Sequence, residues 1–390
     1  MESQAAAPPG TALSELEFEW LQLPRDQARV SLEDTELDLV MLALLGEAAS
    51  APGGQVSVIA GRRGAHVVVL APCFEQQTSL PIRLGEKVLW EQQVPALRLP
   101  PIAQSGVRSD SDARAMLAFL RSSAQGRALV LTDADTESPL YRAALETTAT
   151  ACLLARNEPD THLFHRFGDS YEAFFDQRGS KYRNQLRKKE KLFVAHFPGQ
   201  VEFKEYRQAD EVSEFLTAAK AINRKTYQFR MFGEAIDDDA ESIAAARSVA
   251  AAGCFRSFIL WHDGQPICFV WGQQRADRVF EHCKTGFDPA HRDGAPGIYS
   301  NILLLQRLYA QDRPRLMDFG SGDSDYKRLF STEARTTANP MLLPCSLRFR
   351  FAVFLYEASA SVNRHAVRFL ERTGAKDGIK RLLRRIGGRA

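Results

Sequence analysis

Two short stretches concentrate the residue types that move protons and hold charge. "DFGSGDSDYK", Asp318 to Lys327, sets three aspartates, a tyrosine and a lysine around two glycines. "EHCK", Glu281 to Lys284, puts a carboxyl, an imidazole, a thiol and an amine side by side. A carboxylate or imidazole takes a proton, a phenol can return one, and a lysine holds a carboxylate or phosphate. Metal and phosphate readings of the first stretch fail on spacing. There is no D-x-D-x-D-G run closed by Glu, as a calcium loop needs, and no GxxxxGK[ST]. A glycine-permitted turn with aspartates capping the backbone is the competing structural reading. The six cysteines (Cys73, Cys152, Cys254, Cys268, Cys283, Cys345) show neither CxxC nor Cys/His zinc spacing, so reduced core thiols and no metal site are expected.

The elements around these stretches must position them. "VFEHCKTGF" alternates as a strand, with Glu281 and Cys283 on one face and His282 and Lys284 on the other. It is the third of three strands, after "FRSFILWH" and "PICFVWGQQR", joined by the hairpin turns "DGQ" and "AD". A loop "DPAHRDGA", a helix "PGIYSNILLLQRLYAQ" and a strand "RLMDF" then lead into Asp318. Upstream lie helical "SYEAFFDQRGSKYRNQLRKKEKLF", with Tyr182, Leu186 and Phe193 inward, a strand "QVEFKEY", and helices "ADEVSEFLTAAKAINRKTYQ" and "DDDAESIAAARSVAAAG". The last has an acidic first turn and Gly253 as its stop.

In the first half, "LEFEW", "RALVLTDAD" and "ACLLARNE" read as strands and "QVSVIAGRRGAHVVVLAPC" as a hairpin. "SLEDTELDLVMLALLGEAA", "SDARAMLAFLRSSAQG" and "ESPLYRAALETTA" read as helices. "NPMLLPCSLRFRF" reads as a last long strand, followed by helix. The fold class is α/β, with mixed central sheets flanked by helices. The expected organisation is a lead-in over 1–13, one lobe over 14–157, a second over 158–345 and a basic amphipathic tail over 346–390.

Composition narrows the partners. The chain has 390 residues, 45% hydrophobic and 25% charged, with a net charge of +2. That is a globular composition, not a disordered one. From Ser346 onward eleven Lys/Arg face three acids, a net of +8, so the first 345 residues carry −6. "DGIKRLLRRIGG" places Ile379, Leu382, Leu383 and Ile386 on one helical face and basic residues on the other. Such a helix suits an anionic membrane surface or a protein groove. No aromatic-plus-basic surface pattern points to DNA. With no secretory leader and no membrane span in the sequence, a cytoplasmic protein, peripheral at the inner membrane, is expected.

The order of helices, three antiparallel strands, helix and strand resembles the GNAT acyltransferases. More specifically it resembles the CelD-type (cellulose biosynthesis) subgroup related to the FemAB aminoacyl transferases. The resemblance is carried by "SKYRNQLRKKEKLF", "FILWHDGQPICFVWG", "KTGFDPAHRDGAPGIYSNILL" and "DFGSGDSDYK", which span Tyr171 to Phe330. It implies tandem GNAT-like lobes, the first degenerate. In such proteins the third strand splays from its neighbour and acyl-CoA enters the gap. The following helix offers its N-terminus to the pyrophosphate.

The resemblance implies an N-acyltransferase with acyl-CoA or an acyl carrier protein as co-substrate, no permanently bound cofactor, and direct attack by an amine, in envelope lipid or polysaccharide metabolism. Glu281 or His282 would take the ammonium proton. Tyr326 would protonate the leaving sulfur, Asp318 would orient a base or bind the amine, and Lys327 would bind a carboxylate or phosphate. Lys284, Arg292, Gly294, Gly297 and Ser300 would meet the donor. The usual Gln/Arg-x-x-Gly-x-Gly/Ala signature is not matched, since the spacing fits from His291 but not from Arg292. Arg183 and Arg187 would form an electropositive rim. Tyr227, Phe232 and Asp323 would face the acceptor, a lipid or sugar amine. Some bacterial ceramide synthases belong to this broad class. A FemAB-like aminoacyl transferase and a non-catalytic helper of envelope polysaccharide synthesis are the alternatives.

Overall fold

The computed structural model describes residues 16–21, 56–63, 66–84, 87–101, 107–147, 152–156, 159–233, 235–275 and 277–372. The expected helix at Ser31–Ala49 and the basic helix at 376–390 lie outside the described residues. The chain divides into two units, one comprising 1–21, 57–158 and 338–390, the other 22–56 and 159–337.

The first unit is built on a sheet of β1 (Glu17–Leu21), β2 (Val56–Arg63), β3 (His66–Leu84), β4 (Lys87–Leu99), β5 (Ala128–Leu131), β7 (Cys152–Arg156) and β15 (Pro340–Pro344); β6 (Ala134–Asp135) is a two-residue strand. The order is β1-β2-β3-β4-β5-β15-β7. Helices α1 (Asp110–Ser123) and α2 (Pro139–Thr147) bury Met116, Leu117, Leu120 and Leu140 in one core cluster. In α1, Ser109 caps the Asp112 N–H. A second cluster joins Leu80, Val94 and Leu343 to α10 (Leu347–Arg372). The expected long last strand therefore stops at Pro344. "LRFRF" alternates locally, but Phe349, Ala352, Val353 and Tyr356 pack together at helical spacing, and that longer signal wins.

The second unit has the expected order. Helices α3 (Tyr171–Asp176) and α4 (Ser180–His196) precede β9 (Val201–Tyr206); α5 (Val212–Asn223), α6 (Tyr227–Phe232) and α7 (Ala240–Ala251) follow it. The hairpin strands are β10 (Ser257–His262), β11 (Gln265–Gln274) and β12 (Val279–Phe287). A 3-10 turn (Pro289–Gly294) and α8 (Pro296–Ala310) come next, then β13 (Leu316–Ser321), α9 (Asp325–Phe330) and β14 (Glu333–Ala338).

β8 (Asp160–Arg166), which the sequence reading lacked, lies between β14 and β13, and the sheet continues β12-β11-β10-β9. The β10–β11 turn has Asp263 and Gly264 at φ +46° and +73°, the backbone a two-residue hairpin needs. β12 and β13 run parallel, which requires the α8 crossover between them. Both sheet faces are covered. Phe258, Val270 and Phe280 pack with Leu186, Ile302 and Leu305, while Ile259 and Phe269 pack with Phe215 and Leu216.

Candidate active site

The site begins where β12 and β13 part. Their pairing covers three positions, Val279 with Leu316, Phe280 with Met317 and Glu281 with Asp318. Beyond Asp318, β13 shifts register against β8; beyond Glu281, β12 carries a bulge. Gly272 of β11 faces His282 and Trp271 faces Lys284, so Cys283 is the extra residue. A bulge bends and twists its strand. The simple alternation expected of "EHCK" therefore holds to His282 and breaks at Cys283. Gly272 has to be glycine, since a Cβ there would lie 2.3 Å from the Phe280 ring and 2.8 Å from the Arg256 carbonyl oxygen.

Alternation up to the fork separates two groups of side chains. On the face with Phe280 and Met317 stand His282, Phe319 and Tyr326. The His282 ring centroid lies 5.7 Å from that of Phe319 and 6.2 Å from that of Tyr326. His282 is 5% exposed and its Nε2 has no hydrogen-bond partner. Burial pushes its pKa down to about 4, with Lys327 adding to the effect, so the ring is neutral at pH 7. Burial pushes the Tyr326 hydroxyl up to about 12, so it keeps its proton.

On the other face stand Glu281 and Asp318. Burial raises the Glu281 pKa and Asp318 adds to it, while Arg275, 2.5 Å away, opposes both. Asp318 Oδ1 accepts from His162 Nε2 at 2.5 Å and from the Gly320 N–H at 2.7 Å. His162 is buried, stacked on Phe164 with ring centroids 4.4 Å apart, and its Nδ1 has no partner. His162 is the site residue that sequence reasoning missed.

The glycines of "DFGSGDSDYK" serve the turn. Gly320 and Gly322 sit at φ +74° and +91°, where a side chain would be strained. Lys327 donates to the carbonyls of Gly320 at 3.0 Å and Ser321 at 2.8 Å, so it closes this turn. Asp323 is paired with Arg328, Nε to Oδ1 at 2.5 Å.

The expected donor-binding residues divide. Ala295, at φ +53°, starts α8 without a side-chain cap. Gly297 lies in the first turn, where a Cβ would be 3.2 Å from Phe287. Arg292 is exposed beside it. Gly294 is buried, and a Cβ there would meet Phe197 at 2.5 Å and His196 at 2.8 Å, so packing dictates this glycine. Ser300 is fully buried. Lys284 Nζ reaches the Ala235 carbonyl at 3.4 Å.

The remaining expected residues lie on helices. In α4, Leu186 and Phe193 are buried and Tyr182 half-buried, as expected. Arg183 donates to the Asp176 carbonyl at 2.9 Å, and Arg187 lies 5.4 Å over the Phe175 ring. Tyr227, on α6, is 63% exposed. Phe232 ends α6, and its side chain lies outside the described residues. The structure thus brings Glu281, His282, Asp318 and Tyr326 together, and gives Lys327, Gly294 and Ser300 structural places.

Comparison with known proteins agrees with this layout. Residues 180–328 match the acetyltransferase (GNAT) domain family. No curated protein matches the chain. Among solved structures, a conserved protein of unknown function from Bacteroides thetaiotaomicron aligns with a TM-score of 0.51 at 13% identity, over 84% of this chain and 100% of that one. The C-terminal domain of a candidate lysylphosphatidylglycerol synthetase from Agrobacterium fabrum aligns at 0.48 and 9% identity, covering 83% and 96%. A tandem GNAT protein from the clavulanic acid biosynthesis pathway aligns at 0.46 and 13% identity, covering 83% and 98%. At 13% identity the likeness to the first of these is one of fold alone. Over residues 180–328, within the second unit, the chain is similar to GNAT acetyltransferase domains.

Proposed function

We propose that the protein is an N-acyltransferase that passes an acyl group from an acyl thioester, carried by coenzyme A or a carrier protein, to an amine by direct attack. The parting of β12 from β13 directly after Glu281 and Asp318 carries this reading. It opens a gap between two strands with a proton acceptor on one face and a proton donor on the other.

The thioester arm enters the gap and its phosphates lie at the uncapped start of α8. Backbone N–H groups of β12 freed at the bulge polarise the thioester carbonyl. Asp318, held in place by His162, draws the ammonium end of the acceptor. Glu281, its pKa raised by burial, takes the proton and leaves a neutral amine. The amine nitrogen attacks the carbonyl carbon, the C–S bond breaks, Tyr326 gives its proton to the departing sulfur, and the proton that the nitrogen sheds in becoming an amide passes through solvent back to the Tyr326 oxygen.

The acceptor in this reading is an envelope lipid or sugar amine. Helix α10 supports a lipid surface, since Phe351 and Phe354 are 64% and 66% exposed on a segment rich in arginine. No helix among the described residues is long and apolar enough to cross a membrane.

The test is release of free thiol from acetyl- and palmitoyl-coenzyme A, and from loaded carrier protein, with a sphingoid base or an amino sugar as acceptor. Tyr326→Phe should slow it about 100-fold at an unchanged melting temperature. If the protein neither binds nor turns over any of these thioesters, the reading fails.

A further inference from the structure

Just before the start of β12, beyond the three-residue pairing of β12 with β13, the second unit holds a cleft of about 500 Å³. That is room for a small-molecule ligand. Five arginines line it: Arg207, Arg256, Arg275, Arg278 and Arg313; Asp312 is the one acid among its lining residues.

The surrounding carboxylates do not balance this charge. Glu205 Oε1 serves both Arg207 at 2.6 Å and Arg256 at 2.9 Å, and Glu205 Oε2 lies 3.5 Å from Arg307. Asp312 Oδ2 takes a second contact from Arg207 at 2.6 Å. Asp277 is shared by Arg275 at 2.9 Å and Arg315 at 3.1 Å, and Arg275 also meets Glu281 at 2.5 Å. Arg278 and Arg313 are exposed and, among the described residues, their side chains reach only carbonyl oxygens, Arg278 that of Arg313 at 2.7 Å and Arg313 that of Asp169.

The floor of the cleft is held by a hydrogen-bond network. Arg256 is 1% exposed and is held by Glu205, the Gln274 side chain and the carbonyls of Gln311 and Asp312. Arg278 and Asp312 sit at φ +61° and +42°, a conformation that costs energy in residues with a side chain and persists only where the surroundings impose it.

We infer that this cleft is a second binding site, for a small molecule bearing phosphate, held by Arg278, Arg313 and Arg207 over the fixed charge of Arg256. Planar guanidiniums in a fork suit phosphate oxygens, and two of them retain donors without any carboxylate. The site lies on the other side of the three-residue β12–β13 pairing from the donor cleft of the acyltransferase reading, with Arg275 reaching Glu281 between them, and it does not depend on that reading.

Inorganic pyrophosphate is the probe, titrated calorimetrically into the full chain. Saturable binding at one site per chain is expected, weakened about tenfold or more in the double variant Arg278→Ala/Arg313→Ala. That variant breaks no ion pair to a carboxylate and should melt with the wild type. Co-sedimentation with phosphatidylglycerol vesicles separates the sources of the phosphate. Vesicle binding lost in the double variant, with no pyrophosphate binding, assigns the site to a lipid headgroup. Soluble binding alone assigns it to a free phosphorylated compound. No binding in either arm overturns the inference, as does binding that the double variant leaves unchanged. Competition by coenzyme A for pyrophosphate would also overturn it, because the cleft would then be the donor's. Binding of acyl-coenzyme A by the double variant at wild-type strength keeps the two sites distinct.

Discussion

Replacing Asp318 separates the structural from the chemical role of the fork. Its carboxylate accepts from His162 at 2.5 Å and from the Gly320 N–H at 2.7 Å, and the side chains of His162 and Asp318 are only 3% and 18% exposed. A hydrogen bond to a charged group contributes about 1.5–3 kcal/mol, and a buried donor left without an acceptor costs about 1–3 kcal/mol. Asp318→Ala removes both acceptor contacts and should cost about 3 kcal/mol. Asp318→Asn keeps one oxygen for the same two donors and loses only the charge, about 1 kcal/mol. For a unit of this size each kcal/mol lowers the melting temperature by about 2–4 °C. The alanine variant should therefore melt about 6–12 °C lower and the asparagine variant about 2–4 °C lower. Thiol release should behave differently. Both variants lose the negative charge that draws the amine, so both should fall about 100-fold in kcat/KM. Differential scanning calorimetry and the thiol assay, run on the same preparations, decide it. An alanine variant as stable as wild type would mean that the pair does not form in solution. An asparagine variant with full activity would mean that the charge has no part in the reaction.

Two further outcomes follow from the same geometry. His282 and His165 both have pKa values lowered to about 4, chiefly by burial; in His165, Nδ1 donates to the Phe330 carbonyl at 2.7 Å and Nε2 accepts from the Tyr309 hydroxyl at 3.0 Å. Folding holds both rings neutral, so their contribution is complete above pH 6.5 and is lost as pH falls from 6.5 towards 4. At pH 5 the loss should be about 2 kcal/mol for each ring. Urea midpoints at pH 7.5 and 5 should show it, His282→Gln should remove about half, and an unchanged difference in that variant would contradict the assignment. Gly294→Ala should destabilise by about 1–3 kcal/mol, because the new Cβ meets the Phe197 and His196 rings of the α4 end. A variant as stable as wild type would show that the loop opens freely.

The hairpin strands, the helix before them and the strand into Asp318 were legible because each carries a local signal. The DG turn, Gly253 after α7 and the inward spacing of Tyr182, Leu186 and Phe193 are examples. The fork was legible only through the likeness to the acyltransferases, since strand register is a non-local property. His162 was hidden for the same reason. It lies 156 residues from Asp318, on a strand whose place between β13 and β14 no local pattern announces. Lys327 looked like a ligand residue because a charged side chain after glycines fits both a binding loop and a closed turn, and the structure has the turn. "LRFRF" misled because period-two alternation over five residues competed with a helical face that becomes visible only through Tyr356.

The most direct test of an acyl thioester lying between β12 and β13 is amide hydrogen exchange with and without acyl-coenzyme A at saturation. Slowed exchange should concentrate in 282–287, in the first turn of α8 at 297–300, and in 319–326. Slowing confined to other elements, or none at saturation, would contradict a donor site at the fork.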